Sequence, residues 1–278
     1  MANELLDAIE AGIASQKPLV WLEAEAYGAE VVRNGKPFPW TNPTEFVSSY
    51  GQLQSLLKPG VAPVNVGNFL KSWLDANPAA LSEMSGKKRV RFAIKRLLGL
   101  EVPRTIIREI VSALCESVSQ PVVLVLPTNG ELINWANQKA NGTKPQQLTE
   151  IDIDSVSVYL ADFLRAFSGL NVAGVLMQLC EGQAVNPELL DLYSPIINVA
   201  KHYHWALGVQ VQNPTELNDS NAALDLVISN HPAANGQVLG TDFWEGVETA
   251  QPETGFYFGE VDAALQPEVV LERLATLS

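Results

Sequence analysis

Cysteine is scarce: Cys115 and Cys180 are the only two among 278 residues. That is too few for a disulfide framework in a chain this long, so two free thiols in a reducing cytoplasm are expected. No run of 18 apolar residues occurs, which leaves nothing to read as a transmembrane helix. Histidine is nearly as rare, with three in all, and no Cys/His spacing has the form of a zinc site. There is no Walker loop, no G-x-S-x-G elbow and no glycine-rich dinucleotide fingerprint after an early strand. Positive charge is also short, with 18 Lys and Arg against 31 Asp and Glu, for a formal net charge of −13. Nucleic acid and anionic membrane surfaces are polyanions and are not expected as partners. The opening stretch, MANELLDAIEAGIASQKP, mixes charges with apolar residues and does not read as a secretory signal.

What is present is apolar and rhythmic. The 47% hydrophobic content excludes a disordered chain, and the length suffices for a substantial core. Eight short β-rich runs stand at 19–24, 61–66, 122–126, 172–179, 205–211, 223–229, 237–241 and 255–260. Most have the Val, Leu, Ile and aromatic content of strands buried on both faces. Helical periods separate them, at 156–167, at 186–203 behind an Asn-Pro start, and at 266–277 behind Gln-Pro. Eight strands alternating with helices in a chain of this length predict an α/β fold, a single (β/α)8 TIM barrel over 1–278. An open doubly wound sheet is the competing architecture. Between strands two and three, residues 68–120 hold three helical patterns (69–76, 87–98 and 104–118). That exceeds one crossover, so a helical insertion or cap over one end of the barrel is expected.

Residues 87–108 carry eight of the 18 basic residues and one acid, on a predicted helix with one apolar face. Two readings stay open: a solvated helix balancing an acidic body, or a cap that recruits an anionic substrate through Arg and Lys.

In a parallel barrel the outer face of each strand packs on helices, so polar residues at alternate positions are expected inside. The rule places Glu23 and Glu25 on one inward face, Gln178 and Cys180 on another, and Gln210 and Gln212 on a third. Asn65 fits more loosely. All lie late in their strands, at the carboxyl end where sites in this architecture form. Glu23, Gln178, Gln210 and Gln212 are predicted to meet in one polar chamber. Like charge two residues apart would raise one carboxyl pKa of the Glu23/Glu25 pair and fit it to acid–base work, or the pair would anchor an amine. Burial against interior amides or cations is the inert alternative. Cys180 reads as a small buried residue rather than a nucleophile. His202 and His204 fall at the opposite end, which normally serves stability, whereas His231 follows strand six at the functional end and is the one catalytic histidine candidate. Asp242 lies at that end as well and is a candidate substrate contact or loop cap.

Three segments resemble one family. LPTNGELINWAN (126–137), VLMQLCEGQA (175–184) and GEVDAALQPEVVLERL (259–274) are similar to motifs of the cobalamin-independent methionine synthase and uroporphyrinogen decarboxylase barrel superfamily, over about residues 120–278. The resemblance implies a barrel acting at its carboxyl mouth, with Glu181 in the position of the family's strand-four glutamate. It also shows departures. Gln210-Val211-Gln212 stands where the family carries a zinc-binding His-x-Cys, Cys180 replaces a substrate-binding aspartate, and no later cysteine follows. The arginine-rich start that holds a tetracarboxylate is missing. Without zinc ligands a thiol acceptor cannot be activated by the family's route.

The expectation is therefore a metal-independent transferase or lyase without cofactor, acting on a small polar, carboxylated metabolite. Glu23, Glu25 and His231 are its catalytic candidates, and Asn65, Gln178, Glu181, Gln210, Gln212 and Asp242 its substrate contacts. Two alternatives stand beside it. One is a degenerate barrel that binds a ligand or protein partner, a homo-oligomer included. The other is a zinc methyltransferase with ligands such as Cys180, Glu181 and His231.

Overall fold

All eight predicted runs contribute a strand. In the computed structural model, which describes residues 3–217, 224–249, 252 and 255–277, they are β1 Val20–Glu23, β2 Ala62–Asn65, β3 Val122–Leu126, β4 Val172–Gln178, β5 Ala206–Gln210, β6 Leu226–Ser229, β7 Gly236–Leu239 and β8 Phe256–Glu260. Most are shorter than the apolar runs. Ala223, part of the sixth run, lies outside the described residues. The strands are parallel and form one sheet in the order β1-β8-β7-β6-β5-β4-β3-β2. This is a nearly closed (β/α)8 barrel.

Thirteen helices are described: α1 Glu4–Ala14, α2 Glu25–Val31, α3 Pro43–Leu57, α4 Val66–Ala76, α5 Leu81–Met84, α6 Phe92–Gly99, α7 Glu101–Ser117, α8 Asn129–Asn141, α9 Glu150–Leu164, α10 Pro187–Leu192, α11 Ser194–Tyr203, α12 Thr241–Trp244 and α13 Pro267–Ala275. The predicted helix over 186–203 is divided at Tyr193. Pro195, in the first turn of α11, lacks an N–H and would clash with a carbonyl one turn earlier in a continuous helix. Among the described residues no helix is long and apolar enough to cross a membrane.

The inside–outside alternation holds along the strands that position polar side chains. Leu19, Trp21, Val123, Val125, Leu176, Ala206, Phe256 and Phe258 share one buried cluster inside the barrel. Leu22, Val175, Met177, Leu207 and Val209 belong to the larger layer between strands and helices. A helix that the apolar periods do not announce, α1, closes the amino-terminal end. Its Leu5 and Ile9 join the interior cluster against Trp21 and Phe256. Asn3, its N-cap, donates from Nδ2 to Ala173 O (2.9 Å) and His204 O (3.0 Å), fixing the plug to the ends of β4 and α11.

The wall has one seam. No ladder joins β1 to β2, which are the two edges of the sheet. A backbone bond from Gly60 N to Val20 O, 2.8 Å, bridges them near their starts. Gly60 permits this approach, because a Cβ there would lie 2.5 Å from Leu19 Cγ. Nearer the mouth, side chains of α3 fill the gap.

The insertion is placed differently from the expected end cap. Helix α6 packs against α8 and α9, and α7 against α3 and α4, so both belong to the outer ring. The predicted helix over 87–98 starts only at Phe92, after Gly86 at φ +82. Four cations within 87–91 repel one another and do not favour a helical turn. Most of the segment's charges are already engaged on the flank. Arg91 pairs with Asp152, Arg96 with Glu83 (3.0 Å) and Arg104 with Asp162 (2.5 Å). Lys95 lies 5.3 Å over the Tyr159 ring, and Arg108 donates to Ala166 O at 2.9 Å. Lys87, Lys88 and Arg89 are exposed.

Candidate active site at the barrel mouth

The last inward position of several strands is polar, and these positions connect. Gln178 ends β4 and Gln210 ends β5 as register partners. Gln178 Nε2 donates to Gln210 Oε1 at 3.2 Å, and Gln210 Nε2 donates onward to Glu260 Oε1 at 3.4 Å. Gln210 is 8% exposed, and bonding at both ends of its amide sets its orientation. Glu260 ends β8 and is the register partner of Glu23 at the end of β1. A line of polar side chains thus runs across the mouth from β4 and β5 to β8 and β1. Glu260 is absent from the sequence-derived candidates. The alternation Phe256, Phe258, Glu260 carried the signal, but only the strand register reveals it beside Glu23.

Glu23 is the most perturbed of these groups. The residue keeps partial exposure, yet its Oε1 is sealed from solvent and meets no donor in hydrogen-bonding geometry among the described residues; the Trp21 indole N–H beneath it lies near enough to favour the charged carboxyl without completing a bond. Burial above all, then the charges of Glu25 and Glu260, push the Glu23 carboxyl up to about 8, against a smaller opposing pull from the Trp21 indole. A carboxyl of this kind is largely protonated at neutral pH, poised both to give and to accept a proton. Replacing Glu260 with Gln removes one of the neighbouring charges and keeps an acceptor for Gln210. Carboxyl-carbon NMR of Glu260→Gln is expected to show the Glu23 midpoint displaced downward, whereas an unmoved midpoint would show that Glu260 does not act on it.

Glu25 corrects the strand-face assignment. β1 ends at Glu23, Ala24 caps the next element, and Glu25 is the first residue of α2. The change from strand to helix turns its side chain towards Trp40 and Asn68, whose Nε1 and Nδ2 donate to its two oxygens at 2.7 and 2.9 Å. Burial raises its pKa, and those two donors oppose the rise. Asn65 ends β2 but spends its Oδ1 on capping α4, accepting from Asn68 N at 3.0 Å.

The remaining candidates lie further out. Gln212 is exposed, two residues beyond β5, and lines an open groove of about 620 Å³ with Gln210, Asn230, Glu260 and Asp262. Cys180 is exposed rather than inward, since β4 stops at Gln178. Glu181, also exposed, accepts from Asn213 Nδ2 at 3.3 Å. His231 and Asp242 line an adjoining groove. Both accept from nearby backbone, His231 Nδ1 from Ala233 N in its loop and Asp242 Oδ1 from Phe243 N in the first turn of α12. Among the described residues no three His, Cys, Asp or Glu side chains are grouped to hold a metal ion. The amides Gln210 and Gln212, at the positions where the resemblance implies zinc ligands, do not fit that metal.

Neither protein-family models nor curated proteins contain a match to this chain. The fold and the mouth define its class as a (β/α)8 barrel with a carboxylate and amide cluster at the strand ends.

Proposed function

We propose that the protein is a metal-independent transferase or lyase of the methionine synthase/uroporphyrinogen decarboxylase-like barrel superfamily, acting on a small polar substrate by proton exchange at Glu23. One observation carries this reading: the bonded line Gln178–Gln210–Glu260 ends beside a carboxyl whose Oε1 is buried and unpartnered. The superfamily assignment is supported by the three sequence motifs named above. Glu23, held near the working pH, serves as acid when protonated and as base once charged. Gln178 and Gln210 have the fixed donor and acceptor directions needed to orient a substrate. Carboxyl groups on that substrate lie away from Glu23, because among the described residues neither the seam nor the mouth groove is lined by Lys, Arg or His. The two free cysteines fit a reducing cytoplasm.

The test is a thermal-shift screen against small metabolites, followed by mass spectrometry of each hit after incubation. Conversion of a stabilising metabolite by the wild type, lost in Glu23→Gln even at metabolite concentrations raised until the variant is stabilised as well, is the expected result. A hit that stabilises and is never converted would replace catalysis with ligand binding.

A further inference from the structure

The seam between β1 and β2 encloses a small pocket beside Glu23, with room of about 30 Å³, enough for a water or two. Aromatic rings form much of its wall. Phe46 lies at its centre, with ring centroids 5.6 Å from Phe38, 4.4 Å from Trp40 and 6.3 Å from Tyr50. Glu25, Trp40 and Asn65 in its lining are hydrogen-bonded, but three polar atoms are not. Glu23 Oε1 and both polar atoms of the Gln54 carboxamide, from α3, are sealed from solvent and have no partner. Buried polar atoms are rarely left so unless something unseen completes them. Glu25 adds a second carboxyl to the lining and Glu260 stands beside Glu23, while among the described residues no Lys, Arg or His lines the pocket.

Three features therefore coincide: carboxyl groups with no described cation in the lining, an orphaned amide carbonyl, and aromatic rings, a residue type that attracts positive charge. Water would satisfy the hydrogen bonds but leave Glu23 neutral, whereas a cation beside it offsets the charges of Glu25 and Glu260 and lets the ionised carboxyl accept. We propose that the seam pocket binds a primary ammonium group of the substrate, with Glu23 and Gln54 Oε1 accepting its N–H bonds and the rings of Trp40, Phe46 and Tyr50 enclosing the attached carbon. This rests on the acid–base reading of Glu23 and names the group that it serves. Transfer of one N–H proton to Glu23 leaves a neutral amine and a neutral carboxyl, so the binding contact is also the proton-exchange contact. The pocket's size selects a primary ammonium and excludes a trimethylated one.

The experiment titrates the full-length protein, carrying ¹³C at its glutamate carboxyls, with methylammonium, tetramethylammonium and sodium chlorides at matched ionic strength. Methylammonium is expected to move the Glu23 signal and lower its midpoint, with no equal effect of the other two salts. Glu23→Gln and, independently, Gln54→Leu are each expected to weaken methylammonium binding by about tenfold or more, read by thermal shift, as for loss of one hydrogen bond to a charged group. A raised Glu23 midpoint that methylammonium leaves in place overturns the ammonium pocket and spares the acid–base reading. An equal response to all three salts is screening and overturns it as well. An ordinary carboxylate midpoint in the free protein overturns the acid–base reading, and the methylammonium response then decides the pocket by itself.

Discussion

Glu23→Gln is expected to abolish most turnover and at the same time make the protein more stable in alkaline solution. A positioned proton-transfer group contributes roughly 10²–10⁴-fold to rate, so a loss of that size in kcat is anticipated on any substrate that the screen delivers. The gain in stability follows from linkage. The carboxyl titrates near 8 in the fold and near its ordinary 4.5 when unfolded. Between those values the folded state holds the extra proton, so wild-type stability falls as pH rises through this window and levels off above it. A displacement of this size corresponds to a cost on the order of 5 kcal/mol at pH 9, given about 1.4 kcal/mol per pH unit. Glutamine has nearly the same shape and carries no charge to desolvate. Denaturant unfolding at pH 5, 7 and 9 should therefore show a declining curve for the wild type and a flatter one for the variant. Parallel curves would mean that Glu23 is not a displaced carboxyl, and the acid–base role would go with it.

The second large effect concerns the floor of the site. Trp21 is fully buried and packs on Phe256 and Phe258, with ring centroids at 6.2 and 6.1 Å. It fills the barrel directly beneath Glu23 and touches the apolar plug supplied by α1. Trp21→Ala leaves a void at the centre of the interior cluster, and the ladder to β8 on one side and the packed rings of Phe256 and Phe258 limit how far the wall can collapse to fill it. The expected loss is about 3–5 kcal/mol, lowering Tm by roughly 10 °C for a chain near this length. Differential scanning calorimetry measures it, and a change of a degree or two would mean that the neighbouring rings had closed the space.

The strands were legible in the sequence because both of their faces are buried, which forces runs such as VVLVL and VAGVLMQ. Helix α3 was less so. Asn42-Pro43 is the same cap signal that marks the predicted helix beginning at Asn186, and Asn42 Oδ1 does accept from Glu45 N, but polar residues interrupt the apolar stripe. Glu25 shows the limit of a period-two argument. The alternation Trp21, Glu23, Glu25 runs unbroken through the point where the backbone turns from strand to helix, and no residue there announces the change. Gln210 and Gln178 were placed by alternation alone, since both sit within the last ladder positions. Gln212 and Cys180 lie past those ladders, where the rule no longer applies. The Gln54 carboxamide and the rings near it come from a separate helix, and only the three-dimensional seam sets them beside Glu23.

A fully closed ring resists expansion, because widening any part of it breaks ladder bonds on both sides. Here the ring is cut at β1 and β2, and side chains do the joining near the mouth. A guest entering at that cut can spread the wall against rotamers of α3 rather than against main-chain bonds, with the Gly60–Val20 link as the fixed hinge below. The cut can thus part to admit a small guest and close again around it, while the carboxylates and amides across the mouth keep their places.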